Sequence, residues 1–191
     1  MPTLNGYAAL FDSISEDLGK FREILDPHCF DRVLASDVRA LLNHDASRIL
    51  GRTKSGTLRL TTDARGLRCA IDLPSNSLGA DVLESVRRGD LSQMSFAFSI
   101  APNGERWDLK GEQLVRTVLE VRVLQDVSIV SFPAYSATSI STASSAGARG
   151  MSEAEQAQMA RNRRRLGAHG LGGDVERQAA RNRRRLHEAR Y

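Results

Sequence analysis

Alternating apolar and polar residues mark two stretches of the chain as β-strands with one buried face. Residues 66–73 carry apolar side chains at every second position, namely Leu67, Cys69, Ile71 and Leu73. Residues 93–100 repeat the pattern with Met94, Phe96, Phe98 and Ile100. Because successive side chains of a strand point to opposite faces, Ser95 is predicted to lie on the face away from this apolar row.

Further apolar patterns complete the predicted elements. Residues 114–124 and 127–132 are rich in β-branched residues, which favours strands. Helical spacing of apolar residues predicts a helix over residues 78–88 and a shorter helix over residues 29–34. This order of strands, helix and strands contains little β-α-β alternation. It predicts an α+β fold, a mainly antiparallel β-barrel or sandwich with helices packed around it.

Composition divides the chain into three segments. Residues 1–135 form the predicted compact domain, and residues 136–150, which are small and polar, predict a flexible linker. Residues 151–191 form an arginine-rich tail, in which residues 160–166 recur unchanged as residues 180–186. Neither copy of the repeat has much of an apolar face. The tail is therefore predicted to be helical or disordered and not to fold stably alone.

The charge of the protein belongs to the tail. The tail holds ten arginines and five acidic residues, a net +5, so the total of +4 leaves −1 for residues 1–150. No apolar stretch approaches the ~20 residues that a membrane-spanning helix needs, and residues 1–6 lack a signal-peptide pattern. We expect a soluble, intracellular protein without membrane contact.

The cysteines do not form a recognisable metal-binding pattern. Cys29 and Cys69 lie 40 residues apart, without a CxxC motif or a neighbouring histidine pair. A structural zinc site needs about four clustered ligands. We interpret both cysteines as small buried hydrophobic residues. No metal and no cofactor are expected.

Histidine is scarce, and this narrows the candidates for acid–base chemistry. His28 and His44 are the two histidines of the predicted domain, and His44 follows an apolar stretch at a predicted strand end. Ser95 has small neighbours on its strand face, which leaves room for a substrate carbonyl group. A serine nucleophile needs an adjacent base. The residues alone leave two interpretations open: a Ser95/His44 pair, or a solvent-facing serine and a structural histidine.

Several short sequence blocks follow one another along the predicted domain. They are GYAALF at 6–11, FRE at 21–23 with DPHCF at 26–30, VRALLNHD at 38–45, ILGRT at 49–53, GDLSQMSFAF at 89–98 and LQDVSIVSFPAY at 124–135. Each block is weak by itself. In their joint order and spacing they resemble the prohead (capsid-maturation) serine protease family of tailed phages, of the HK97 type, over nearly all of residues 5–135.

The resemblance implies a fold and a catalytic site. It implies a herpesvirus-protease-like β-barrel surrounded by helices, with Ser95 as nucleophile and His44 as base. His28 falls where the family usually has a small residue, which argues against a catalytic role. Asp126 lies where the family's closing motif commonly has an acidic residue and is the candidate for the third catalytic position. The alternatives are that Asp126 is a surface acid at a strand start, and that Glu120 serves instead.

The resemblance also implies a function. The expected protein is a serine endopeptidase that cleaves scaffold segments, or the scaffold-like arm of the major capsid protein, and itself in the linker. It would act inside the assembling procapsid in the host cytoplasm, encoded by a phage or a prophage, and homodimers are expected by analogy with herpesvirus proteases. The alternative is a non-catalytic assembly or scaffold module with the same fold.

The tail has two interpretations of its own. It either targets the protein to acidic scaffold or capsid segments, or binds nucleic acid through its arginines. Nucleic-acid binding is less favoured, because no aromatic residue interleaves the arginines until Tyr191.

Overall fold

The computed structural model describes residues 1–135 and 137–142, which form eleven β-strands and one α-helix. The strands are β1 (Thr3–Leu10), β2 (Arg22–Leu25), β3 (Arg39–Leu42), β4 (Asp45–Arg52), β5 (Leu58–Thr62), β6 (Gly66–Asp72), β7 (Gln93–Ile100), β8 (Glu105–Lys110), β9 (Gln113–Val118), β10 (Val121–Val130) and β11 (Ser139–Thr142). The helix, α1, spans Ser77–Arg88. No helix in this part of the chain is long and apolar enough to cross a membrane.

The strands form three sheets. The first sheet has the order β11-β1-β6-β5, the central sheet β4-β3-β10-β7, and the small sheet β2-β9-β8. Most neighbouring strands are antiparallel, but β10 runs parallel to β3, and β2 runs parallel to β9. The prediction of a mainly β-sheet fold is confirmed. The predicted barrel with several surrounding helices is not found, because the described residues form three open sheets and one helix.

The apolar rows predicted from alternation form the core between the first and the central sheet. Leu67, Cys69, Ile71 and Leu73 are fully buried. From the other side, Met94 of β7 brings its sulfur to 3.2 Å from the Cys69 sulfur. Cys29 and Cys69 are both buried with free thiols, as predicted, and burial raises the pKa of Cys69 to about 12.

The longer predicted helix is confirmed, and its ends show why it forms there. The side chain of Asn76 accepts a hydrogen bond from the amide of Gly79 at 3.0 Å and caps the first turn. Gly89 ends the helix with a φ of 85°, a left-handed conformation that glycine adopts without strain. Val82 and Val86 are buried on the inner face.

The shorter predicted helix, over residues 29–34, is wrong. This segment consists of successive turns, in which Val33 donates to the carbonyl of Phe30, three residues earlier, and Ser36 to that of Val33. Phe30 and Val33 are nevertheless buried, as the apolar pattern predicted. The pattern identified the inward side chains, but consecutive turns place apolar residues inward at the same spacing as a helical turn.

The apolar stretch 114–124 is divided between β9 and β10 by a sharp bend. The amides of Leu119 and Glu120 both donate to the carbonyl of Gly104, at 2.8 and 3.0 Å. A Cβ atom at Gly104 would lie 2.6 Å from the Glu120 carbonyl oxygen, so only glycine permits this close approach. After the bend, β10 continues through most of the second apolar stretch and ends at Val130.

Part of the stretch predicted as a linker is a strand. Residues 139–142 form β11, which pairs antiparallel with β1 at the edge of the first sheet. Just before it, Thr138 Oγ1 donates to the carbonyl of Met94 at 2.7 Å and accepts from its amide at 3.0 Å. The folded part therefore extends to Thr142. The predicted tail, residues 151–191, lies outside the described residues.

A surface carboxylate at the end of β6 gives the stability of the fold a pH dependence. Asp72 receives two hydrogen bonds from Arg59, at 2.6 and 2.9 Å, and one from Thr3 at 2.7 Å. The hydrogen bonds from Arg59 first, and then that from Thr3, lower the pKa of Asp72 from 3.8 to about 2. A lowered carboxyl pKa stabilises the folded state above the unfolded value and loses this effect as pH falls through the folded value.

We predict that Asp72→Asn lowers the free energy of unfolding at neutral pH by up to about 1 kcal/mol, as is usual for exposed ion pairs. The difference from wild type should shrink as pH falls from 3.8 towards about 2. Urea unfolding at a series of pH values and constant salt measures it. Asp90→Asn, which removes a single contact with Arg88, is the control. If the difference in unfolding free energy between wild type and Asp72→Asn stays constant with pH, the lowered pKa of Asp72 is contradicted.

Candidate active site

His44 lies in the tight turn that joins β3 to β4. Leu42 pairs with Asp45, so the turn consists of Asn43 and His44 alone. Both residues have positive φ, 52° and 57°, as in the type I′ turns that suit two-residue hairpins. Left-handed backbone costs a non-glycine residue about 1–2 kcal/mol, so the surrounding structure must hold His44 in place.

The turn is held by the end of β10. The amide of Asn43 donates to the carbonyl of Ile129 at 2.9 Å. Its side-chain oxygen accepts a hydrogen bond from the amide of Ser131 at 3.0 Å. These two bonds continue the pairing of β3 with β10 past the last residue of β3 and fix the position from which the His44 side chain projects.

Asp126 of β10 orients the imidazole ring. Nδ1 of His44 lies 2.7 Å from Oδ1 of Asp126, and the hydroxyl of Ser128 donates to the same oxygen at 2.6 Å. The Asp126 side chain is 10% exposed, whereas that of His44 is 38% exposed. A carboxylate acceptor at Nδ1 places the ring proton there, so that Nε2 is free to accept a proton.

Ser95 lies on the neighbouring strand of the same sheet. In the register of β7 and β10, Ser95 is directly opposite Ser128, and Ala97 is opposite Asp126. Directly opposite residues have Cβ atoms about 5 Å apart and point to the same face of the sheet. Ser95 is therefore on the face that carries Ser128 and Asp126, away from the apolar row of β7, as the alternation predicted. Its residue exposure is 9%.

No hydrogen bond joins Ser95 to His44 in the part of the chain that the structure describes. The base and the acid are in contact, and the serine is on the adjoining strand without a bond to the base. Hydrogen bonds of catalytic groups often tighten only when substrate is present, so this arrangement is compatible with a nucleophile that engages its base on binding.

The other residues considered from the sequence have different partners. His28 is highly exposed in the turns before residue 34 and pairs with Asp31, three residues later, at 3.1 Å. Glu120 pairs with Arg32 at 2.8 Å. Asp126, and not Glu120, is the acid that contacts His44. Among the described residues no group of three or more His, Cys, Asp or Glu side chains could hold a metal ion.

Sequence reasoning missed two residues that support this arrangement. Ser128 follows Asp126 by two positions on a strand, so both side chains lie on one face, and this spacing is visible in the sequence. Asn43 precedes His44 after an apolar stretch, and asparagine is among the residues that best tolerate the first position of a type I′ turn. Both signals are local.

Comparison with known proteins finds one matching family model and several similar solved structures. A sequence model of the family described as Caudovirus prohead serine protease matches residues 1–154. A solved structure of Kaposi's sarcoma-associated herpesvirus protease with a hexapeptide phosphonate inhibitor is 13% identical, with a TM-score of 0.48, over 84% of this chain and 75% of that one. Another structure of that protease, with a dimer disruptor, is 14% identical, with a TM-score of 0.49, over 85% and 89%. No curated protein sequence matches significantly.

We predict that Asn43→Ala lowers the free energy of unfolding by about 1–2 kcal/mol, because it removes the bond to Ser131 and places alanine at positive φ. Asn43→Gly should recover part of this loss, since glycine relieves the backbone strain but does not restore the bond to Ser131. Urea midpoints of the three proteins measure the order wild type, Gly, Ala. Equal midpoints for wild type and Asn43→Ala would show that the turn does not depend on this side chain.

Proposed function

The chain belongs to the Caudovirus prohead serine protease family, and from this premise we propose that it matures phage procapsids with Ser95 as nucleophile, His44 as base and Asp126 as the acid that orients His44. Family membership confirms the resemblance of the sequence blocks and makes the chain a serine endopeptidase. The assignment of the individual catalytic residues and of the substrates is what we propose. The observation that carries it is the 2.7 Å contact of His44 with Asp126, on the strand that pairs with the strand of Ser95.

The proposed reaction begins with attack of Ser95 Oγ on the carbonyl carbon of the scissile peptide bond. Nε2 of His44 takes the hydroxyl proton, and the negative Asp126 stabilises the imidazolium that forms. The tetrahedral intermediate collapses, the carbon–nitrogen bond breaks, and His44 returns the proton to the leaving amine. Water then attacks the acyl-enzyme with the same base, which releases the acid product and restores Ser95.

The burial of these groups fits their proposed roles. Asp126 is almost shielded from water, which strengthens its interaction with a charged imidazole. The His44 side chain is partly exposed, so its ring can be reached from the solvent. Ser95 is opposite a small buried residue, Ser128, so no bulky side chain on β10 is directly beside its hydroxyl.

The proposed substrates follow from the family. Prohead proteases act on proteins of the assembling shell, so we propose scaffold segments, or the scaffold-like arm of the major capsid protein, inside the procapsid in the host cytoplasm. Within the small-residue stretch 136–150, the part that follows β11, residues 143–150, is the proposed site of self-cleavage, because its small side chains make few demands on the shape of a substrate site. The arginine-rich tail is proposed to target the enzyme to acidic shell components, and homodimers are proposed by analogy with herpesvirus proteases.

The sequence left a second function open, a non-catalytic assembly module with the same fold. Family membership favours the protease, and the missing hydrogen bond between Ser95 and His44 among the described residues does not favour the module, because such bonds often form only when substrate binds. The two functions differ in whether shell proteins are cleaved, and the same variants therefore distinguish them.

We predict that co-expression with the major capsid protein and its scaffold yields processed products, and that Ser95→Ala or His44→Ala abolishes processing. Asp126→Asn should reduce the rate by about 10⁴-fold, as loss of the orienting acid does in serine proteases. His28→Ala is the matched control and should process normally. Gel analysis and mass spectrometry of the products measure all five proteins. Processing by Ser95→Ala at the wild-type rate would rule out the proposed nucleophile.

Self-cleavage makes a separate prediction. Wild-type protein expressed alone should lose its tail by cleavage after β11, within residues 143–150, whereas Ser95→Ala should keep its full mass. Intact-mass measurement after purification with protease inhibitors distinguishes the two. If both proteins have the full-length mass, self-processing is wrong, and cleavage of shell proteins is unaffected by that result.

A further inference from the structure

Ser128 contacts the proposed catalytic acid from within the protein. Its hydroxyl donates to Oδ1 of Asp126 at 2.6 Å, and this oxygen also accepts the bond from His44. Ser128 is fully buried and Asp126 is 7% exposed. Water therefore has little access to this pair of side chains.

We propose that Ser128 is a positioning residue, which holds the carboxylate of Asp126 in the orientation that His44 requires. This inference rests on the proposed function. A carboxylate at the end of an aspartate side chain rotates over a broad range about its last torsion. One hydrogen bond to His44 leaves that rotation partly free. A second donor, fixed on the same strand, restricts Oδ1 to the direction of Nδ1.

The strand register gives Ser128 its fixed position. Ser128 follows Asp126 by two residues on β10, so the two side chains are neighbours on one face. Across the sheet Ser128 pairs with Leu41 of β3 on one side and with Ser95 of β7 on the other. Backbone pairing on both sides thus holds its Cα in place, and the hydroxyl needs only one rotamer to reach Oδ1.

Charge strengthens the effect of this contact. Hydrogen bonds to an ionised acceptor are shorter and stronger than those between neutral groups, and 2.6 Å is within the range of such bonds. Ser128 thus contributes a short, directional hydrogen bond to the buried carboxylate, beside the one from His44. An alanine at this position would leave the carboxylate with one donor fewer.

The test uses the reaction of Ser95 with a fluorophosphonate probe, which reports nucleophile activation without knowledge of the cleavage site. Intact mass gives the labelling rate of the full-length chain, corrected for the folded fraction from circular dichroism. If self-cleavage shortens the protein, the mass of the shortened form is followed instead. Wild type should be labelled at Ser95, and both Ser95→Ala and His44→Ala should not be labelled.

We predict that Ser128→Ala slows labelling about ten-fold, the order expected for loss of one hydrogen bond to a charged group. In the Asp126→Asn background, Ser128→Ala should lower the labelling rate by less than about two-fold. A residue that acts through Asp126 has no effect once the carboxylate is gone. Ser128→Thr or Ser128→Cys, which keep a donor, should recover part of the rate. Ser36→Ala, which removes a hydroxyl bonded to the Val33 carbonyl, is the control and should label normally.

The outcomes separate this inference from the proposed function. If wild type is not labelled, or is labelled without His44, the proposed function fails. If labelling requires Ser95 and His44 but Ser128→Ala reacts at the wild-type rate, or its effect multiplies fully with that of Asp126→Asn, Ser128 is not a positioning residue. If Ser128→Ala does not fold, Ser128→Cys replaces it, alone and combined with Asp126→Asn. Its weaker donor should give a smaller loss of labelling rate, which should also vanish in the Asp126→Asn background.

Discussion

The pairing of β10 between β3 and β7 determines where each group of the proposed site lies. β10 carries Asp126. It runs parallel to β3 on one side and antiparallel to β7 on the other. The parallel partner ends at the turn that contains His44, and the antiparallel partner contains Ser95. Three segments that are distant in the sequence therefore meet because one strand pairs with both of the others. If either pairing shifted by one residue, side chains of that strand would change faces and the site would not form.

The apolar face of the central sheet fixes this register. Val127 and Ile129 of β10 and Met94 of β7 are fully buried on one face of the central sheet, where Met94 contacts Cys69 of the first sheet. Asp126 and Ser128 alternate with Val127 and Ile129, so the residues that anchor the apolar core also place the polar ones on the opposite face of the sheet. The geometry of the site is in this sense a consequence of core packing, because the burial that stabilises the sheet excludes every register in which the carboxylate would point into the apolar core.

Local features of the site could be predicted from the sequence, and non-local ones could not. Alternation predicted the buried row of β7 and with it the face of Ser95, because side-chain direction in a strand depends on neighbouring residues alone. The contact of His44 with Asp126 joins residues 82 positions apart. It depends on parallel pairing of β3 with β10, which no spacing in the sequence encodes, and only the family resemblance suggested it. For the same reason alternation indicated which faces are buried but not whether the sheets close, and the described residues form open sheets where a barrel was predicted.

The way in which His44 is held indicates which group must move to start the proposed reaction. The Asn43 amide is bonded to Ile129 of β10, the Asn43 side chain to Ser131 just after β10, and the His44 ring to Asp126. These three contacts oppose movement of the base and compensate the cost of its positive φ. Ser95 has no such contact with His44. Its hydroxyl changes direction by rotation about one bond between staggered positions, which costs little. The approach of nucleophile and base is therefore expected to come from the serine side chain, with the histidine and its acid already in place.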